Sequence, residues 1–468
     1  MAILLASSTA RSQEGSVWNS RKSAWLLLTP AQKEELRQFS EDYKNYLRQA
    51  RSALTSTREV LRLAKSAGFS EFTSAAQVKP GARLIVPDRN RALILAVIGS
   101  EGLVNGSRLV ATHQDSPHID LKARPIYAAE KSGIALFKTI YYGGIKKYQW
   151  ANIPLALLGR IDTADGRTID VSIGLAPGEP VFVIPDNAPH SDKDLRNRTY
   201  TEVLKGEELD PVAGSIPAEN SSVVSEVVRY FAAKYNIKEE DFVSAELQLV
   251  PATPPADVGV DGGLVGGYGQ DDRLSSYCAA RAILAVKGTP RYSSLAYLSN
   301  FEEVGSVNNT GAASQFLNST LARLIAAQRG RDYSDLDLRS ALHNSQVISA
   351  DTNDGINPIF LSVTSEETNA ARLGDGVTIK RYGRGFDANS EFTAHIRGIL
   401  EQNHIPWQTQ TPKVDVGSGG TIGGFMSQQD MEVIDLGVPL LSMHSPFEMS
   451  SKVDLWNFYR FMQAFYGP

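Results

Sequence analysis

The sequence predicts an α/β protein, a mostly parallel sheet flanked by helices with a smaller β-rich domain inserted into it. After the break at Pro251–Pro255, apolar runs of strand length alternate with stretches of helix length, the pattern of a layered sheet with helical connections. From about Leu121 to Val250 the texture changes to short β-rich runs separated by turns such as Gly143-Gly144, Asp165-Gly166 and Pro177-Gly178. At 468 residues the chain also exceeds one ordinary domain. The larger domain is therefore expected in two pieces, residues 1–122 and 251–468, around an inserted domain at 123–250.

Each element has its own signal. Thr29-Pro30-Ala31-Gln32 combines a capping hydroxyl, proline at the first helical position and glutamine three residues on. Leu36, Phe39, Tyr43, Leu47 and Leu54 follow at spacings of three, four and seven, which predicts a helical stretch from Thr29 to about Ala67 with one apolar face. Leu93–Ile98 and Arg108–Ala111 are strand-like. The polar stretch Asp186–Pro217 reads as a long loop. Beyond the break, strands are expected at Ser294–Leu298, Gln346–Ser349, Gly376–Lys380 and Val438–Met443. Helices are expected at Arg273–Val286, Gly311–Gln328 and Ser390–Gln402.

Composition removes several function classes. The formal charge of −5 gives no broad basic face for nucleic acid. One cysteine, Cys278, precludes an intramolecular disulfide or a thiolate-rich metal site and fits a reducing cytosol; it is expected as a small core residue. The N-terminal MAILLASSTARSQ has a short apolar run with no basic residue before it, a poor signal peptide. No stretch approaches the roughly 20 apolar residues of a membrane span. A cytoplasmic protein without nucleic-acid or membrane partners is expected.

Acids and imidazoles recur at predicted strand ends. His113 lies in Val-Ala-Thr-His-Gln-Asp-Ser-Pro, where an apolar strand runs out, and Asp115 could accept from its second ring nitrogen. Asp271 and Asp272 follow a glycine-rich loop. Glu302 and Glu303, Asp351 and His444 each follow an apolar run. Imidazole and carboxylate without thiolate suit zinc, cobalt or manganese. Two histidines and three carboxylates are about enough for two ions sharing one carboxylate, which in such sites activate a water and polarise a carbonyl. A further carboxylate must then move the water's proton, and the Glu302–Glu303 pair offers one ligand and one base. His118 is expected in a structural or rim position, and His190, His343, His395 and His404 outside any metal site. No P-loop, nucleophile elbow or EF-hand loop is present.

Seven segments, in this order and across nearly the whole chain, resemble the aspartyl aminopeptidase and vacuolar aminopeptidase I family, dinuclear zinc peptidases: HQDSP at 113–117, QDDRL at 270–274, FEEVGS at 301–306, SAD at 349–351, IK at 379–380, GGTIGG at 419–424 and DLGVPLLSMHS at 435–445. The resemblance implies that His113 and Asp351 hold one zinc, Glu303 and His444 the other, and Asp271 bridges them. It implies Glu302 as general acid/base, Asp115 orienting His113, and Asp272 supporting the ligands from behind. Lys380, Gly420, Thr421 and Gly423 would line the substrate pocket. Peptide substrates with acidic N-terminal residues, dimerisation through the inserted domain and a tetrahedral homo-oligomer of twelve subunits are implied as well. The chain departs from the eukaryotic pattern after Gly143-Gly144-Ile145, where a His-containing stretch is replaced by Lys146-Lys147-Tyr148-Gln149-Trp150-Ala151-Asn152. Lys146, Lys147 or Lys380 would then meet a substrate carboxylate. The alternatives are a related dinuclear amidohydrolase acting on acylated amino acids and a metal-stabilised shell without turnover.

Overall fold

The computed structural model describes residues 22–467 apart from 130, 194, 362–367, 384 and 415–418. The N-terminal reading of residues 1–13 lies outside these. The expected first helix is two, Pro30–Gln49 and Ala53–Ser66. Thr29 caps the first as predicted, its hydroxyl accepting from Gln32 N. The second has its own capping box, Ser52-x-x-Thr55, with Ser52 in extended conformation, so the backbone leaves the helix between them.

The large sheet has nine strands: β1 (Ser70–Glu71), β2 (Arg83–Asp88), β3 (Ala92–Val97), β4 (Ser107–His113), β5 (Ser293–Ser299), β6 (Gln346–Ala350), β7 (Val377–Lys380), β8 (Trp407–Gln410) and β9 (Glu432–Gly437). Their spatial order is β1-β2-β3-β5-β4-β6-β9-β7-β8. The central four, β5, β4, β6 and β9, are mutually parallel, and β3 and β7 flank them antiparallel. Alternate side chains face opposite layers, as a strand's period of two requires. Leu95, Val110, Ala296, Ile348 and Ile434 pack against the helices Gln270–Leu284 and Lys452–Tyr466. Ala96, Leu109, Leu295, Val347 and Val433 pack against Phe316–Arg329 and Asp335–His343.

Between β4 and β5 the chain builds a six-stranded antiparallel sheet. Its order is Thr168–Ile173, Leu155–Asp162, Ala245–Pro251, His118–Ala129, Ile134–Tyr142 and Val212–Gly214. It has its own apolar core around Phe137, Trp150 and Phe231, covered by the helix Val223–Tyr235. Residues 186–211 run mainly as turns. A third, five-stranded sheet joins Ala256–Val258, Leu264–Gly267, Glu448–Ser451, Pro439–Leu441 and Asn353–Asp354. None of the described helices is long and apolar enough to cross a membrane.

The expected strand Val438–Met443 needs correction. The large-sheet strand is β9, ending at Gly437, and Pro439–Leu441 belongs to the third sheet. Buried Asp435 interrupts the apolar pattern of β9, whereas Val438-Pro-Leu-Leu reads as an unbroken run. Gly437 is required where β9 passes β6, because a Cβ there would lie 2.0 Å from the Asp351 carbonyl oxygen. Gly437→Ala is expected to cost roughly 1–3 kcal/mol by overpacking. Gly398→Ala, with nothing within 4 Å of the added methyl on the helix Ser390–Gln402, should stabilise by about 0.5–1 kcal/mol. Urea unfolding of the two variants should therefore move in opposite directions.

Candidate metal centre

Parallel neighbours bring their C-terminal ends to one edge, where open α/β sheets hold ligands. His113 is the last residue of β4, level with Ser299 on β5. Glu302 and Glu303 follow β5 in a short helical turn, entered through Phe301 at φ 63° and left through Gly305 at φ 95°. Asp351 follows β6. Asp271 sits at the start of the helix Gln270–Leu284 behind left-handed Gly269, its peptide to Asp272 is cis, and neither aspartate has helical backbone angles. His444 arrives from the third sheet, with Ser442 and His444 both at positive φ.

Asp271 lies between the two imidazoles. Its Oδ1 is 3.6 Å from His113 Nε2 and its Oδ2 3.0 Å from His444 Nε2. His113 Nε2 is also 3.8 Å from Asp351 Oδ1 and 3.9 Å from Glu302 Oε2, and His444 Nε2 is 3.3 Å from Glu303 Oε2. Two three-residue sets bring donor atoms within 4.8 Å of one another: His113, Asp271 and Glu303, and His113, Asp272 and Asp351. A tetrahedral zinc with bonds of about 2.0–2.1 Å holds its ligands roughly 3.3 Å apart, so the separations of 3.3 Å and more fit ligands around shared points better than hydrogen bonds, while His444 and Asp271 are hydrogen-bonded. Asp271 Oδ1, Asp272 Oδ1 and Glu303 Oε1 are buried without a hydrogen-bond partner. A divalent cation offsets that desolvation cost.

The surrounding groups fix the imidazoles. His113 Nδ1 is 3.1 Å from the Asp115 carbonyl oxygen and 3.3 Å from its carboxylate, leaving Nε2 for the centre. The Asp115 carboxylate also accepts the Tyr142 hydroxyl at 2.7 Å and the backbone N–H groups of Glu302 and Glu303, both at 3.2 Å. Burial alone would raise Asp115, but His113 and these donors hold it below the usual carboxylate range. His444 Nδ1 donates to the Gly144 carbonyl at 2.9 Å. Buried Glu448 accepts the backbone N–H groups of Gln270 (2.5 Å), Asp271 (3.2 Å) and His444 (2.7 Å), tying two ligand-bearing loops together.

So many buried carboxylates resist ionisation together. Burial, reinforced by the charges of Asp351, Asp271 and Asp115, pushes Glu302 up to about 8. Burial and the charge of Asp271 raise Glu303, and burial and Asp351 raise Asp272. Burial works against a charged imidazole, yet the Asp271 hydrogen bond and the charge of Glu303 lift His444 to about 11. A cluster this dense holds protons unless cations replace them.

The structure thus brings together His113, Asp115, Asp271, Glu302, Glu303, Asp351 and His444. Asp272 is closer to the centre than a purely supporting role requires: its Oδ2 accepts the His113 backbone N–H at 3.4 Å, and one of its oxygens lies within 4.8 Å of donor atoms of His113 and Asp351. Lys380 pairs with Asp435 at 3.3 Å, and Thr421 accepts from Ser349 at 3.3 Å while also meeting Asp435. Gly420 is exposed with space around it. Gly423 is buried, and a Cβ there would lie 2.2 Å from the Phe386 ring. Lys146 is exposed, and Lys147 lies 5.9 Å from the Tyr141 ring centre. His118 holds the Ser116 carbonyl and Asp120, away from the centre. Exposed His343 meets Asp430 at 2.8 Å, and His395 stacks on Phe392. Cys278 is buried. Tyr142 and Glu448 escaped the sequence reading, and Gly144 and Asp435 were quoted there without a role in the site. The one signal for Glu448 was an acid four residues after a candidate ligand.

Residues 46–466 match the family model of the aminopeptidase I zinc metalloproteases, M18. The chain belongs to this family. A probable M18 family aminopeptidase 1 from Borrelia garinii is 38% identical over 457 residues, covering 95% of this chain and 99% of the relative. The crystal structure of an M18-family aminopeptidase from Thermotoga maritima superposes with a TM-score of 0.90 at 38% identity, covering 95% and 99% of the two chains. At the level of fold alone, the S. cerevisiae mApe1 dodecamer matches with a TM-score of 0.74 at 20% identity, covering 91% and 95%. The protein is therefore a zinc metallo-aminopeptidase, which favours neither an amidohydrolase of acylated amino acids nor an inert shell.

Native Glu302, Glu303 and the two histidines bind more protons than their unfolded counterparts near neutral pH, so the stability of chelated protein must fall as pH rises. Thermal unfolding in chelator should give a midpoint that declines from pH 5 to pH 8. Added zinc should flatten that decline and stabilise most at pH 8; a zinc increment independent of pH would contradict it.

Proposed function

We propose that this chain removes single residues from peptide N-termini by a two-metal mechanism, with Glu302 as general acid/base. The observation that carries the reading is Asp271, one carboxylate whose two oxygens face two different imidazoles, His113 and His444. His113 and Asp351 would hold one ion, Glu303 and His444 the other, and Asp271 both, with zinc favoured by the family and by the thiolate-free donor set. Bound there, the ions would supply Lewis acidity to a peptide carbonyl and lower the pKa of water.

Glu302 is the carboxylate left unspent. Burial and the neighbouring carboxylates make it hold a proton more readily than an ordinary glutamate, the direction that suits a group that must take one up and return it. Its carboxylate takes the proton of the attacking water and delivers it to the departing amine nitrogen, so the C–N bond breaks with a neutral leaving group. Asp115 keeps His113 in one tautomer throughout. Gly420 and Thr421 line the substrate side.

An acidic N-terminal preference needs a cation facing the substrate. Lys380 already shares its charge with Asp435, which leaves exposed Lys146, two residues beyond the Gly144 carbonyl that holds His444, as the candidate for that role. We further propose residues 123–250 as a dimerising domain within a twelve-subunit shell, which the dodecameric yeast relative supports. A cytoplasmic setting agrees with the single buried cysteine.

Glu302→Gln should keep zinc uptake and lose roughly 10²–10⁴-fold in kcat. A panel of peptides differing only in the first residue should be cleaved when zinc is restored after chelation, and the N-acetylated versions should be inert. A fully active Glu302→Gln would remove that residue from the proton transfer, and cleavage of the blocked peptides would remove the aminopeptidase reading. An Asp/Glu bias lost in Lys146→Ala would place the acidic pocket at Lys146.

A further inference from the structure

Tyr142, which ends a strand of the antiparallel sheet, and the Gly143 and Gly144 that follow it touch both halves of the metal centre. Tyr142 donates to Asp115, which holds His113. Gly143, at φ 73°, packs so closely that a Cβ would lie 3.2 Å from Glu303 Cβ and 3.2 Å from the Pro117 ring. The Gly144 carbonyl takes the Nδ1 proton of His444. His444 is therefore oriented by the segment leaving the antiparallel sheet, and His113 by Asp115, which that sheet's Tyr142 holds in turn.

We propose that Tyr142–Gly144 is a positioning clamp, and that the Tyr142 hydroxyl sets metal affinity and turnover through Asp115. The proposal rests on the two-metal reading above. Asp115 Oδ1 serves His113 and the Glu302 N–H, while Oδ2 serves Tyr142 and the Glu303 N–H. Without the hydroxyl, Oδ2 keeps only the Glu303 N–H, so the carboxylate's hold on His113 is loosened. The Tyr142 ring is itself held, stacked on His118 at 4.4 Å between centroids and edge-on to Phe301 at 5.9 Å. Burial and the charge of Asp115 raise the phenol far above its ordinary value, so it stays a donor across the working pH range. Partners that orient a ligating histidine in this way typically contribute about 10–100-fold in metal affinity.

The test is Tyr142→Phe in the full-length protein, alone and combined with Asp115→Ala. Zinc affinity of the chelated proteins is read by competition with a chromophoric chelator, independently of activity. At saturating zinc, kcat and KM are measured separately. Tyr142→Phe should weaken zinc by roughly tenfold or more and lower kcat with KM within about twofold, leaving the unfolding temperature of the chelated protein unchanged. In the Asp115→Ala background the same substitution should have no further effect on zinc affinity, since a group acting through Asp115 has nothing left to act on. Wild-type zinc affinity in Tyr142→Phe, or a loss that adds in full to that of Asp115→Ala, overturns the clamp while leaving the two-metal reading intact. Wild-type protein that takes up no zinc overturns both.

Discussion

Everything at this centre follows from packing six carboxylates and two imidazoles at one edge of a sheet. Asp115, Asp271, Asp272, Asp351, Glu302 and Glu303 cannot all ionise in a buried space without counter-charge. The chain answers with backbone donors where a negative charge must persist, as at Asp115. It leaves donors out where a cation belongs, as at Asp271 Oδ1 and Glu303 Oε1. The division is chemical. An oxygen satisfied by N–H groups is a poor ligand, and an oxygen without them is costly unless a metal or a proton arrives. Glu302 and Glu303 differ by this rule: burial and neighbouring acids raise both, but only Glu303 keeps a buried oxygen without a donor, while Glu302 lies against His113.

Geometry follows from that charge problem. Parallel strands β4, β5 and β6 end side by side, so His113, the glutamate pair and Asp351 converge without long side-chain reaches. Asp271 and His444 approach from outside the sheet and cannot rely on strand register. They are held by Glu448, whose carboxylate spans the backbone of both loops. Removing either loop from Glu448 would leave a buried carboxylate and one or two unpaired N–H groups, so the two loops are placed as one unit.

This difference in support explains what the sequence could and could not disclose. His113, Glu302, Glu303 and Asp351 were legible because an apolar strand that ends in an acid or imidazole leaves a local mark. The split of the first helix at Ser52 was missed because Leu54 continues the apolar spacing across the gap. Strand β9 was misplaced because Asp435 breaks its apolar run. Tyr142 and Glu448 left little trace: Asp115 is 27 residues from Tyr142, and Gln270 is 178 from Glu448, whose nearer partner His444 was its one local sign. Local pattern discloses groups held by the strand they sit on, whereas groups held by other loops emerge only from the folded contacts.

Lys380 shows the same constraint at work on a cation. It sits at the end of β7, antiparallel to β9, where Asp435 is its cross-strand neighbour. Burial pushes Asp435 up to about 7, and Lys380 draws it back toward ionisation. Asp435, Asp351 and Asp272 together hold Lys380 protonated despite its burial. A lysine fixed this way supplies one permanent positive charge to a region with a surplus of acids, and its ammonium has little freedom to follow a substrate. Counter-charge to Asp435, Asp351 and Asp272 is the role its contacts show. Lys146, after Gly144, differs in kind: it is exposed rather than buried among these acids, so the charge balance of the centre does not fix its position.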